Sequence, residues 1–159
     1  MPNNLSIQHK LKNWPIKKLF ILLFSLLSIS SYSQKLSIND IPEGVKKTFE
    51  VTHADILNPN WEKAGELFVA KYKGLSGPVE LLFEPSGMLK LTKYYMDKKF
   101  MPLKIKNYLK SNSNGFKPSK FYYQVMQGQD NYIVEMAQGV KKKLMKFSID
   151  GKFLSEELL

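Results

Sequence analysis

Apolar residues recur along this chain with two periods that take turns. Ile41, Val45, Phe49 and Thr52 fall at helical spacing and form one stripe of an amphipathic helix. Asp40 and Glu43 beside Pro42 predict a capping box, with the proline in the first turn, where a missing N–H is harmless. A period of two follows and predicts strands over residues 60–64, 67–73, 78–84 and 88–95. Pleat alternation sets Phe68, Ala70 and Tyr72 on one face, with Leu67 and Val69 on the other. Val79, Leu81 and Phe83 likewise oppose Glu80, Leu82 and Glu84. Glycine-containing turns at 64–66, 74–77 and 85–87 separate the runs.

The same order then returns. Met101, Ile105, Tyr108 and Leu109 repeat the helical stripe, which stops at a run of Ser, Asn and Gly over 111–115. Strands are predicted over 119–126, 131–137, 141–148 and 152–158, with turns at 128–130 and 150–151. Pro42 and Pro102 each open the spacing Pro-x-x-apolar-x-x-x-apolar, with Trp61 and Phe121 each nineteen residues after its proline. Phe83-x-x-x-Gly87-x-Leu89 matches Phe147-x-x-x-Gly151-x-Phe153. The offset between copies is 60 early and 64 late, so about four extra residues lie near 124–127, predicting a longer hairpin. Copies of about 60 residues are too small to bury a good core alone, which predicts that they share one sheet. The expected fold is α+β: two tandem repeats (about 40–97 and 98–159), each a helix plus four strands, in one continuous curved antiparallel sheet with both helices on one face.

The first 33 residues read as a cleaved signal peptide. Lys10, Lys12, Lys17 and Lys18 precede an apolar run over 19–29 interrupted only by Ser25 and Ser28. Those 11 positions suit a signal h-region and fall short of the roughly 20 that a membrane-spanning helix needs. Ser31 and Ser33 supply small residues for cleavage before Gln34. The alternative is an uncleaved anchor of the same topology. With cleavage, residues 34–159 form a single domain with no transmembrane span, and the address is periplasmic or secreted.

Composition narrows the chemistry. The chain has no cysteine and no arginine. Disulfide scaffolds, thiolate zinc sites and catalytic thiols are excluded, and planar bidentate clamps on phosphate or carboxylate are absent. The formal charge of +10 is uneven: residues 98–159 hold 12 Lys against 5 acids, whereas residues 40–97 hold 7 Lys against 9 acids. Such polarity suits an acidic partner or an anionic lipid surface, or serves solubility alone.

His53 is the one histidine after residue 33, at the end of the first helix, with no convergent partners of a triad or a metal site in view. No Gly-x-Ser-x-Gly or His-Glu-x-x-His occurs, and the acids show no calcium-loop spacing. No catalytic, cofactor or metal residue is therefore assigned, and no cofactor is expected. The densest basic run, 141–143, reads as a solvated hairpin whose lysines discourage edge pairing. Nucleic acid is not expected as a partner of an exported chain. Trp61 reads as core, and Gly87 and Gly151 as turn residues with positive φ.

An export signal, Pro-x-x-Val-Lys-Lys-x-Phe from Pro42, Asn60-Trp61-Glu62-Lys63, the Phe68-x-Ala70-x-Tyr72 strand and Phe83-x-x-x-Gly87 together resemble the PepSY-like family, also called beta-lactamase-inhibitor-like. The likeness spans about 36–159, and Phe121 departs from it where the second copy's tryptophan would stand. It implies small exported proteins of gram-negative bacteria, tandem helix-plus-strand repeats on one sheet, and binding or inhibition of another protein without catalysis.

The expected function is an exported, non-enzymatic binding module, such as a protein- or protease-inhibitor-like protein, whose partner is another envelope or extracellular protein. The alternative is a structural or sensory envelope protein that binds a small ligand, an ion or anionic lipid. With helices over the Phe68 face, alternation puts Leu67, Val69, Leu82, Ile133 and Leu144 on the open face beside Lys142. Those six are the candidate partner-binding residues, and the apolar five are expected to form one patch.

Overall fold

A computed structural model of the protein describes residues 34–126 and 128–159. The predicted signal segment lies outside the described residues. Among the described residues, nine strands and two α-helices follow one another as β1 (Gln34–Leu36), α1 (Glu43–Thr52), β2 (Asn60–Ala64), β3 (Leu67–Lys73), β4 (Pro78–Phe83), β5 (Leu89–Tyr95), α2 (Leu103–Asn112), β6 (Lys117–Met126), β7 (Gln129–Gln138), β8 (Lys141–Ser148) and β9 (Phe153–Leu158). The strands form one antiparallel sheet in sequence order. Eight strands match those the alternation predicts. The ninth, β1, pairs with β2 at the sheet edge. Three residues are too few for alternation to show, and pairing with β2 creates the strand.

Each α-helix is preceded by a short 3-10 turn, Ile38–Asp40 or Lys98–Phe100. The capping box belongs to the first of these. Ser37 Oγ accepts the Asn39 amide at 3.4 Å, and Asp40 accepts the Ser37 amide at 3.0 Å. This corrects the Asp40–Glu43 box expected on α1, whose N-cap is Pro42 with no side-chain cap. The second 3-10 turn has an acidic cap of its own, as Asp97 Oδ1 accepts the Lys99 amide at 2.8 Å.

Two buried clusters hold the helices to the sheet. Val45 and Phe49 of α1 pack with Trp61, Phe68, Leu81 and Phe83. Ile105 and Leu109 of α2 pack with Phe121, Val134, Met145 and Phe147. Cross-strand partners share a face, and the register runs Trp61↔Ala70↔Leu81↔Thr92↔Val125. Phe121 is four residues before Val125 on β6 and so lies on the same side. Both helices therefore cover one face, and among the described residues no helix covers the other.

Candidate functional site

The register places the six candidate residues on the uncovered face, as alternation predicts. Val69 pairs with Glu62 and Leu82, Ile133 with Tyr122 and Lys146, Leu144 with Glu135 and Glu157, and Lys142 with Ala137. Leu67, opposite Ala64, sits at the outer end of β3. The expectation of one apolar patch is corrected. Between Leu67, Val69 and Leu82 on one side and Ile133 on the other runs the polar row Lys71↔Glu80↔Lys93↔Gln124. Val69, Leu82 and Ile133 are also only 4%, 9% and 5% exposed, while Leu67 and Leu144 are half-buried and Lys142 is exposed. Long neighbours cover the apolar residues because lysine and glutamate lay their methylenes over the sheet and keep their charges in water.

Those neighbours form an alternating ladder. Lys71 pairs with Glu62 and, at 3.9 Å, with Glu80; Lys93 reaches Glu80 at 3.8 Å. Lys120 pairs with Glu135 at 3.4 Å. Tyr95 donates its hydroxyl hydrogen to Glu80 at 3.0 Å, and its ring lies 5.1 Å from that of Tyr122. Lys93 Nζ stands 5.6 Å from the Tyr122 ring centroid. Burial pushes both phenols well above their ordinary range, and the charges of Glu80 and Glu135 add to the shift. Burial also lowers the Lys93 pKa, against the pull of Glu80. The folded state therefore keeps phenolic protons that the unfolded chain releases near pH 10. The tyrosines' stabilising contribution is complete below about pH 10 and falls away as pH rises above it. Urea unfolding midpoints should hold steady up to about pH 9 and then drop. A flat profile through about pH 11 would show that the pair is not sequestered.

A second constellation lies on the helix-covered face and runs from one cluster to the other. Tyr72, Val79, Tyr94, Tyr123, Tyr132 and Phe147 are successive cross-strand partners from β3 to β8. Tyr123 lies 6.1 Å from Tyr94 and 5.7 Å from Tyr132, ring to ring. Its hydroxyl donates to Asp130, and that bond holds its pKa up at about 12. A cleft of about 660 Å³ opens at the Tyr72 end, between His53 and the loop 74–77. His53 stacks on Phe49 at 5.4 Å and meets the edge of Tyr72 at 5.7 Å, so burial lowers its pKa against the pull of Asp55. It is the C-cap of α1, which is the helix-end place expected of it. Alternation alone hides this row, because each tyrosine needs its partner's register. Among the described residues, no group of three or more His, Asp or Glu is placed to hold a metal ion. No described helix is long and apolar enough to cross a membrane.

The chain matches no family model and no curated protein in sequence. Solved structures share its fold. A BLIP-like protein from Bacteroides fragilis superposes with a TM-score of 0.62 at 18% identity, covering 74% of this chain and 86% of that one. A DUF2874 family protein from Bacteroides uniformis reaches 0.64 at 13% identity, covering 74% and 88%. A Bacteroides eggerthii protein provisionally described as periplasmic reaches 0.63 at 13%, again covering 74% and 88%. The likeness to the beta-lactamase-inhibitor-like family thus holds for the fold, at identities too low to carry residue roles across.

Proposed function

We propose that the chain is an exported, non-enzymatic module that binds another protein of the cell envelope or its surroundings through the uncovered sheet face. The observation that carries this reading is the composition of that face. At its centre the half-buried Tyr95 lies over the buried Tyr122 among paired charges of both signs, so that Tyr95 is the accessible aromatic within a polar rim, a mix that protein interfaces use. Two features of this reading go beyond the fold itself. Residues 1–33 are removed on export to the periplasm, in keeping with the signal pattern and a periplasmic description among the fold's relatives. The sheet is built from tandem copies. In support, Trp61 pairs with Ala70 nine residues on, and Phe121 with Val134 thirteen residues on. The four extra residues lengthen the β6–β7 arms by two each, rather than the turn between them.

Val69, Leu82 and Ile133 are too buried to mutate cleanly, so the test uses their accessible neighbours. A photo-crosslinking residue at Leu144 or Lys146 should capture an envelope protein, and one at Lys47 or Glu50 on the outer side of α1 should not. Charge reversal at Lys142 should weaken that capture by about 1 kcal/mol. Capture from α1 alone would overturn the assignment of the face.

A further inference from the structure

The 98–110 segment carries five lysines and no acid, whereas the matching stretch around α1 contains Asp40, Glu43 and Glu50. Lys98, Lys99 and Lys104 stand at the N-terminal end of α2, where the helix dipole disfavours cations. Local stability does not account for them. Lys98, joined by Lys106 and Lys110 from further along the helix, instead rims a pocket of about 360 Å³ between α2 and the start of β6. Met101, Leu109, Phe116 and Met136 line it, and Lys98, Lys106 and Lys110 surround them without a carboxylate. Lys98 Nζ is anchored on the Pro118 carbonyl at 3.1 Å and Lys106 Nζ on the Lys99 carbonyl at 2.8 Å, so each ammonium is held in place with donors to spare. The ion pairs among the described residues engage neighbouring Lys99 and Lys120 but not Lys98, Lys106 or Lys110. Behind the lining, Lys143 is buried 5.0 Å from the Phe116 ring and paired with Glu156. Beside the pocket, Phe100 and Leu103 are 66% and 70% exposed.

An apolar lining with three uncompensated cations at its mouth matches a ligand of the opposite layout. We propose that this pocket takes the acyl chain of an anionic amphiphile, with its carboxylate or phosphate head on Lys98, Lys106 and Lys110. A bare anion would gain nothing from the methionine and phenylalanine lining, and a neutral hydrocarbon would leave the lysines unused. The volume lies at the small end of ligand pockets, enough for one chain. Phe100 and Leu103, exposed on either side of the lining residue Met101 in the chain, supply apolar side chains that can enter a lipid surface. The site is on the helix side of the sheet and does not depend on the protein-binding face.

The test is calorimetric titration of the exported protein with dodecanoate, with dodecanol and butyrate as partial ligands. Dodecanoate should bind, and each partial ligand should bind about tenfold or more weakly. Joint Lys98→Gln and Lys110→Gln substitution should weaken dodecanoate by about tenfold while leaving thermal unfolding in place. Ser113→Trp, which fills the pocket from the end of α2, should abolish binding. Co-sedimentation with phosphatidylglycerol vesicles, against phosphatidylcholine vesicles, identifies the source. Vesicle binding without dodecanoate binding, lost in both variants, assigns the site to membrane lipid and upholds it. Equal binding of dodecanol and dodecanoate, full binding by the variants, or no binding to either dodecanoate or anionic vesicles would overturn the proposal.

Discussion

Truncating Phe83 or Phe147 to alanine is expected to destabilise the protein by about 3–5 kcal/mol in either case. Both rings are fully buried. Phe83 packs 6.2 Å from Trp61 under α1; Phe147 lies 5.5 Å from Tyr108 of α2 and 5.8 Å from Phe153. The loss is a large share of the 5–15 kcal/mol, or about that, by which domains are stable. Phe49 and Leu109, their helix-side counterparts, should each cost about 3 kcal/mol. The more telling outcome is the shape of the transition. The two clusters are joined through the β5–β6 pairing, from Thr92↔Val125 to Tyr95↔Tyr122, so they should melt together. With residues 1–33 removed, Trp61 is the sole tryptophan and reports on the first cluster. Its fluorescence and the far-ultraviolet circular dichroism should give coincident urea midpoints, and Phe147→Ala should move both. A tryptophan transition indifferent to Phe147→Ala would mean two independently folding halves and would refute the shared core.

The sequence makes most of the fold legible because each strand buries one face. Alternation at Phe68, Ala70 and Tyr72, or at Val79, Leu81 and Phe83, needs only the chain itself, and the assigned faces agree with the register throughout. Trp61, read as core, is buried. What stayed hidden depends on how far one strand slides along another. Val69 and Ile133 share a face, yet only the register shows the row Lys71↔Glu80↔Lys93↔Gln124 between them. The tyrosine row and the lysine-rimmed pocket are hidden for the same reason, since their members come from elements far apart in sequence. The capping box moved because a 3-10 turn stands before each helix, and a pattern of Asp, Pro and Glu does not reveal which turn the acid caps.

Gly87 marks the last case, where a glycine reads as a turn residue and does more. It has φ +94°, as a turn glycine would. A Cβ there would also stand 2.4 Å from the Gly44 carbonyl oxygen, inside the first turn of α1. Conversely, a Cβ on Gly44 would lie 2.7 Å from the Ser86 carbonyl oxygen. The helix thus rests backbone to backbone on the β4–β5 turn, with no flexible side chain to give way. Gly87→Ala combines the left-handed penalty of about 1–2 kcal/mol with that collision and should cost about 3 kcal/mol or more. At Gly151, the matching turn glycine at φ +80°, a Cβ would meet side chains alone, the Lys104 Cβ at 3.0 Å and the Ile105 Cγ1 at an ordinary 3.6 Å. Gly151→Ala should therefore cost about 1–2 kcal/mol, little beyond the backbone penalty. Gly44→Ala decides between propensity and packing by its sign. Alanine in a helix ordinarily gains about 1 kcal/mol over glycine, yet here the clash should make it a net loss. Urea midpoints of the three variants, with amide exchange along α1, provide the measurement. A stabilised Gly44→Ala, or equal losses at Gly87 and Gly151, would show that the first turn of α1 can lift off the hairpin at little cost.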